Sequence, residues 1–369
     1  MPDIIFRNVT LRYGDFEAVK KLNFHIYDGE YIGLLGPSGC GKTTTLKLIA
    51  GLRTPSEGDI IIDKRIVNGI PPEERNIGMV FQHFAIFPFM TVWENVTYGP
   101  KVKGWSDIKA EKAAWDAIEL VRLSDKVDVY PKYLSAPELQ RVGLARAIAS
   151  GAKILLLDEP LSMLDVKVRQ VFRHEIRRLV KKLGLTAVHV THDQEEATAV
   201  CDRIIVMRKG EIVQIGKPYE LYRKPKTLFV ANFIGESVFL IGHILEVTDH
   251  DSIIRLRGGY LLEAPTTMFN KGSRVVVAIR KEEFKILPAS EFDKSTNQLN
   301  GTIVQNRFIG FFSRVRIKLK SEEVIEIKVS PEIARTLRVG DEVTLSVNKE
   351  DVLVYTFPKE GLEEALSVV

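Results

Sequence analysis

Cysteine is nearly absent. Cys40 and Cys201 are the two in a chain of 369 residues, which excludes a disulfide framework and any CxxC metal pair. Such sparing use points to a reducing compartment. Long apolar runs are missing too. The longest stretch without Asp, Glu, Lys or Arg, Asn76 to Trp93, contains Gly78, Gln82, His83 and Pro88 and makes a poor membrane span. Met1 to Thr10 carries Asp3 and Arg7 where a signal peptide has its apolar centre, so export is not expected. No single charge dominates either. A formal net charge of +4, with a slightly acidic part after Gly235, lacks the basic footprint of a dedicated nucleic-acid binder. What remains, 45% hydrophobic and 27% charged, is an ordinary globular chain long enough for two hydrophobic cores.

Up to Gly235 strand and helix signals alternate. Leu22, Phe24 and Ile26 alternate with polar neighbours as in a half-buried strand. The apolar runs Ile32–Leu35 and Ile154–Leu157 read as strands covered on both faces, and Thr186–Val190 and Arg203–Met207 add two more. Phe172, Ile176, Leu179, Val180 and Leu183 recur at helical spacing, with Gly184 placed to end that helix. This alternation predicts a layered α/β domain over residues 1–235 with a largely parallel sheet. Residues 88–150 read as helix after helix, a helical subdomain inserted into that frame. Residues 236–369 switch to short β-rich runs (Arg274–Ile279, Gly301–Val304, Arg314–Leu319, Val343–Val347 and Val352–Tyr355), which predict a small, OB-like β-barrel.

Gly36, Pro37, Ser38, Gly39, Cys40, Gly41, Lys42 and Thr43 fit G-x4-G-K-[ST], directly after an apolar strand and before the helical run from Thr44 to Ala50. In such a loop, glycines let backbone N–H groups curl around phosphate oxygens, and the following helix start presents further free donors. Lys42 is placed to reach the β- and γ-phosphates, and the Thr43 hydroxyl to ligate Mg²⁺. Farther on, the apolar strand Ile154–Leu157 delivers Asp158 and Glu159 to its carboxyl end, where ligands bind in open α/β sheets. Asp158 suits the metal shell, and Glu159 suits orienting or deprotonating an attacking water.

Taken together, order and spacing make the chain resemble the ATP-binding subunits of ABC transporters over nearly its whole length. The resemblance implies that Tyr13 stacks on adenine and that Gln82 joins Thr43 and Asp158 around Mg²⁺. It implies that His192 acts with Glu159 and Lys42 on the γ-phosphate of ATP, and that Ser162 to Asp165 crosses a dimer interface. Phe87 to Val92 is similar to the segment beside the groove that receives a membrane subunit. The β-region resembles the accessory domain of maltose-type importers, although Lys281 stands where that family has proline. Family membership further implies a homodimer or paired cassette, two transmembrane permease subunits and an extracytoplasmic solute-binding protein. The chain would then lie peripherally on the cytoplasmic face of the membrane. A sugar is the cargo the resemblance favours, with polyamines, ferric iron or oxyanions as alternatives.

One motif departs from the family. Its signature, Leu-Ser-Gly-Gly-Gln, reaches ATP on the opposite subunit; here the segment reads Leu134, Ser135, Ala136, Pro137, Glu138. Ala136 adds a Cβ, Pro137 lacks an N–H, and Glu138 places a negative charge where a helix start favours an anion. Ser135 and Glu138 form a capping box, in which the Ser135 hydroxyl is expected to accept from the Glu138 N–H. Reduced turnover in a self-paired dimer follows, or pairing with a cassette that keeps an intact signature, this chain then being a weakly hydrolysing partner. Two expectations complete the reading. Lys42 and the helix start should depress the Cys40 thiol. Arg307, Phe308, Phe311, Phe312, Arg314 and Arg316 interleave aromatic and basic residues as a single-strand-binding barrel does, but the acidic balance of this part favours a hairpin with phenylalanines in the core and arginines outside, and no nucleic acid is expected there.

Overall fold

The computed structural model describes residues 2–292 and 295–368. Met1, Asp293, Lys294 and Val369, which fall inside the two expected domains, lie outside the described residues. The chain divides between Lys224 and Pro225 into two compact units. That break precedes the expected one after Gly235. The reason is the short helix Leu228–Phe233, whose Leu228 packs in one cluster with Val276 and Ala365 of the second unit.

In chain order the first unit holds β1 (Ile4–Tyr13), β2 (Phe16–Ile26), β3 (Tyr31–Leu35), α1 (Lys42–Ala50), β4 (Glu57–Ile62), β5 (Arg65–Ile66) and β6 (Ile77–Val80). Next come α2 (Val92–Val102), α3 (Asp107–Leu120) and α4 (Ala136–Ala149). Then follow β7 (Ile154–Asp158), α5 (Val166–Lys182), β8 (Thr186–Thr191), α6 (Gln194–Val200), β9 (Arg203–Arg208), β10 (Glu211–Gly216) and α7 (Pro218–Arg223). One sheet is antiparallel in the order β2-β1-β4-β5. The other runs β10-β9-β3-β8-β7-β6 and is parallel except at the β9–β10 edge.

Strand β8 is buried at every position, and β7 at all but Asp158. Ile154, Leu156, Val188 and Val190 share a core with Leu46 and Ile49 of α1. By the two-residue period of a strand, Ala187, His189 and Thr191 face the opposite way. Helices α2 to α4 form the inserted helical part. The Thr91 hydroxyl accepts from the Glu94 N–H (3.2 Å) and the Glu94 carboxylate from the Thr91 N–H (2.7 Å), so α2 starts from a complete capping box. Buried Asn95 accepts from the Phe87 N–H and donates to the carbonyls of Phe87 and Met90, which fixes the loop ahead of the helix.

The second unit contains α8 (Leu228–Phe233), β11 (Ser237–Val247), β12 (Asp251–Leu256), β13 (Leu261–Pro265), β14 (Arg274–Arg280) and β15 (Lys285–Pro288). After them come β16 (Gln298–Phe308), β17 (Ser313–Leu319), β18 (Val324–Val329), α9 (Pro331–Thr336), β19 (Glu342–Ser346), β20 (Leu353–Thr356) and α10 (Leu362–Leu366). Hydrogen bonding among the described residues groups the strands of the expected β-rich domain into two antiparallel sheets, β13-β12-β11-β14-β20 and β15-β19-β16-β17-β18. Both sheets contribute to one core, Leu240, Ile254 and Val277 from the first and Ile303, Ile317 and Leu345 from the second. The hairpin phenylalanines differ from expectation. Phe308 and Phe311 are 66% and 98% exposed. The β16–β17 ladder ends at the Phe308–Ser313 pair, so Phe311 belongs to the turn beyond the sheet. Lys281 has its own partners here, the carboxylates of Glu236 and Glu326, each at 2.8 Å.

Arg75 ties the far end of α1 to the loop that follows β5. Its buried guanidinium donates to the carbonyls of Leu48, Ile49, Val67 and Ile70 at 2.6–3.0 Å, the first two among the last carbonyls of the helix. Replacing Arg75 by methionine strands those acceptors and is expected to destabilise the fold by ~2–4 kcal/mol in urea unfolding. Lysine, which lacks the planar fork, will not restore the loss.

Candidate functional site

The phosphate loop is shaped by close backbone approach. A Cβ on Gly36 would lie 2.3 Å from the Met207 carbonyl oxygen, and Gly41, at φ 105°, caps the start of α1 in a left-handed conformation. Lys42 follows, buried, with Nζ donating to the carbonyls of Gly36 and Pro37 at 2.7 Å each. The ammonium is therefore held at the mouth of the loop. The Thr43 hydroxyl donates to Asp158 Oδ1 at 3.1 Å, which joins the start of α1 to the end of β7. Burial pushes the Asp158 carboxyl above its ordinary value; the Thr43 hydrogen bond opposes this, and the charge of Glu159 adds to the rise.

Glu159 stands at φ 46°, a left-handed conformation unusual for a side chain of its size. Its N–H donates to the Val190 carbonyl (3.0 Å) and its carbonyl accepts from the Ser162 hydroxyl (2.9 Å), which hold the turn. The carboxylate consequently meets two side chains from other elements. Gln82 Nε2 donates to Glu159 Oε2 at 3.2 Å, and His192 Nδ1 lies 3.4 Å from the same oxygen. Gln82 comes from the loop after β6 and His192 from the end of β8. The structure thus gathers Lys42, Thr43, Asp158, Glu159, Gln82 and His192 where four parallel strands, β3, β6, β7 and β8, end.

Beside the loop lies a cleft of about 540 Å³, lined by Pro37, Ser38, Gly39 and Cys40 on one side and by Phe16, Ala18 and Lys20 of β2 on another. Phe16 is an exposed aromatic that the sequence gave no reason to single out. Tyr13 does not line this cleft; its hydroxyl accepts from Arg53 Nε at 3.2 Å. Cys40 is a correction. Its thiol is buried, and desolvation raises it above its ordinary value despite the nearby Lys42 ammonium, so the expected depression is absent.

The divergent segment forms the start of α4, with Ser135 at the N-cap, Ala136 as first residue and Pro137 in the first turn. The expected capping box forms, and Ser135 in addition donates both its hydroxyl and its N–H to Glu138 Oε2, each at 2.7 Å. The other carboxylate oxygen is paired with Lys126. Chiefly through Lys126, then through Ser135, the Glu138 carboxyl is held down at about 2. Asp165 serves as the N-cap of α5 and accepts from the Val168 N–H at 3.0 Å. None of Ser135, Ala136, Glu138 and Asp165 lines the cleft. Because the folded-state carboxyl is depressed, the stability Glu138 contributes over Glu138→Gln is complete above about pH 4.5 and disappears as pH falls toward 2. Urea unfolding of the two proteins across that range measures it, and with Lys126→Met the window moves up toward pH 4.5.

Residues 19–162 match the ABC transporter family and residues 264–354 the TOBE domain. A spermidine/putrescine import ATP-binding protein of Thermotoga maritima is 35% identical over 98% of this chain and 99% of its own. An Fe(3+) ions import ATP-binding protein of Fusobacterium nucleatum is 38% identical, covering 96% and 93%. Among solved structures, a dimeric ATP-binding cassette bound to ADP and Pi aligns with TM-score 0.52 and 33% identity, over 58% of this chain and 98% of that one. With full-length relatives at this identity around the geometry described above, the chain belongs to the ATP-binding subunits of ABC transporters, as a transport ATPase with a C-terminal TOBE domain.

Proposed function

We propose that this ATPase drives import of a polyamine, working as one of a pair of cassettes under two permease subunits supplied by an extracytoplasmic solute-binding protein. The cargo rests on the name of the Thermotoga relative; ferric iron, named for the Fusobacterium relative, is the second reading. Sugar, expected from the sequence, finds no support among these relatives. No helix of the described residues is long and apolar enough to cross a membrane, and this reading places the chain on the cytoplasmic face against its permeases.

The observation that carries the mechanism is the single oxygen of Glu159 within reach of both Gln82 and His192, next to the Thr43–Asp158 pair. Hard oxygen donors at Thr43 and Asp158, with the Gln82 amide oxygen available on rotation, fit Mg²⁺, which keeps waters and phosphate oxygens as its other ligands. Bound there, it would neutralise phosphate charge. Lys42 and the loop N–H groups hold the triphosphate, Glu159 orients and deprotonates the attacking water, and His192 donates to the γ-phosphate. Phe16, with Tyr13 nearby in sequence, offers the aromatic surface for the base. Isolating the complex with its membrane subunits and measuring solute-stimulated ATP hydrolysis tests this reading. Glu159→Gln is expected to lower kcat by about 10²–10⁴-fold with Mg-ATP still bound, while Lys42→Ala loses ATP binding. Stimulation by ferric iron and not by spermidine selects the second reading.

The start of α4 supports low intrinsic turnover. A Ser135 hydroxyl committed to Glu138, and a carboxylate at a helix N-terminus, oppose contact with a phosphate of a facing subunit. Rebuilding the family motif with Ala136→Gly, Pro137→Gly and Glu138→Gln is expected to raise ATP turnover of the self-paired chain about tenfold or more. Unchanged turnover removes this explanation and favours a heteromeric pair.

A further inference from the structure

Behind His192 the parallel sheet hides a polar chain that the hydrolytic site does not use. Tyr31 on β3, His189 and Thr191 on β8, and Glu196 on α6 are all buried. The Tyr31 hydroxyl lies 2.9 Å from His189 Nδ1, and His189 Nε2 lies 2.9 Å from Glu196 Oε1. The other Glu196 oxygen accepts from the Thr191 hydroxyl at 2.7 Å. Thr191 Oγ1 in turn accepts from the Asp193 N–H at 3.0 Å, and Asp193 Oδ1 accepts from the Glu196 N–H at 3.1 Å. The ring closes on itself. Residues 191 and 193, on either side of His192, are tied to one residue, Thr191 through the Glu196 carboxylate and Asp193 through the Glu196 N–H, while His192 itself is exposed and faces Glu159.

We propose that His189, Glu196 and Thr191 are positioning residues of the ATPase, a buried clamp that fixes the backbone on both sides of His192 and so sets its approach to Glu159. The direction of the hydrogen bonds depends on charge. With Glu196 ionised, Thr191 must donate to it, which leaves the Thr191 lone pairs for the Asp193 N–H. A protonated Glu196 can instead donate to Thr191, turning that hydroxyl toward the amide it now serves and loosening the turn. His189 is the first of several groups that favour the ionised form of Glu196. Burial pushes the Glu196 carboxyl up, but the charge and proximity of His189, the Thr191 hydroxyl and Arg169 outweigh it, leaving the group below its ordinary value. Tyr31, whose own ionisation burial suppresses, keeps its proton and meets the opposite ring nitrogen. The remaining charged or titratable groups facing the cluster are Arg169 and Arg177 of α5, Glu30 before β3, and Cys201 and Asp202 after α6.

The clamp rests on the assignment of His192 given above, so His192→Ala is measured alongside. In the full chain, Thr191→Val keeps the shape and cuts the ring; kcat is expected to fall about tenfold while the Kd for Mg-ATP stays within about twofold, because misplacement of a catalytic group slows the step without removing the binding loop. His189→Phe removes the partner of Glu196, so kcat gains a new dependence on pH. Its ratio between about pH 8 and pH 6 should exceed the unsubstituted chain's by about threefold or more, as the carboxyl takes up a proton on the acid side. His189→Gln, which keeps an amide donor toward Glu196, should restore most of the activity at about pH 8. A cluster that only supports the fold lowers the unfolding midpoint and leaves kcat and its pH profile alone. If His192→Ala is impaired but Thr191→Val matches the unsubstituted chain in kcat, the clamp is refuted and the site reading stands. If His192→Ala itself matches it, the reading beneath has failed. Should His189→Phe not fold, Thr191→Val decides alone.

Discussion

The backbone at Gly36 passes so near Met207 that no side chain fits between them, and much of the site follows from that approach. A Cβ there would also lie 2.6 Å from Cys40 Sγ, and one on Gly41 would lie 2.8 Å from the Ala18 carbonyl oxygen. The phosphate loop is thereby pressed between β9 and β2, and the first turn of α1 is aimed across the carboxyl ends of the parallel strands. Arg75 holds the other end of that helix. With α1 fixed at both ends, Thr43 reaches Asp158 and Lys42 stays at the loop mouth. The sheet supplies the rest, because β7 and β8 are neighbours and so bring Glu159 and His192 together.

Local physics explains how the divergent segment keeps its helix. Ala136 and Pro137 are good first-turn residues, and Glu138 satisfies the Ser135 N–H that would otherwise be left at the N-terminus. Glycines in these positions favour contact with an outside anion; the residues present favour the helix itself. Lys126 strengthens the choice by pairing with Glu138. The same substitution therefore stabilises α4 and supports the proposed loss of phosphate contact. The start of α5 shows the same preference, where Asp165 caps its own helix.

The phosphate loop and the Asp158–Glu159 pair were legible because each combines a covered apolar strand with residues whose chemistry is specific, and the same covered runs made the parallel character of the sheet legible. The inserted helices were legible for want of strand character between Pro88 and Ser150. Other features were not. Strand β1 carries register shifts, so its burial fails to alternate and no two-residue period marks it. The second unit divides into two sheets by which strand edges pair, and that is set by long-range contacts. Cys40 shows the limit of neighbour counting: Lys42 and a helix start both lower a thiol, yet burial wins, and burial is a property of the packed fold. His189 lies within the buried strand β8, where nothing in the sequence sets it apart. Its partner Glu196 could not be read, since a carboxylate on the next helix turns inward only once α6 is laid against β3 and β8.

The two adjacent acids at the end of β7 also bear on the form in which nucleotide enters. An anionic triphosphate approaching alone would meet Asp158 and Glu159 close to the Lys42 ammonium that attracts it. Asp158 is already pushed upward, first by burial and then by the charge of Glu159, so further negative charge nearby would drive it toward its neutral form. Asp158 would keep its charge beside the phosphates if a divalent cation came with them, since such a cation would stabilise both the buried carboxylate and the phosphate oxygens. The Thr43 hydroxyl, which now donates to Asp158, would be released to turn a lone pair outward. The electrostatics of the unit thus favours nucleotide accompanied by a divalent cation, which Asp158 and the Thr43 hydroxyl would hold.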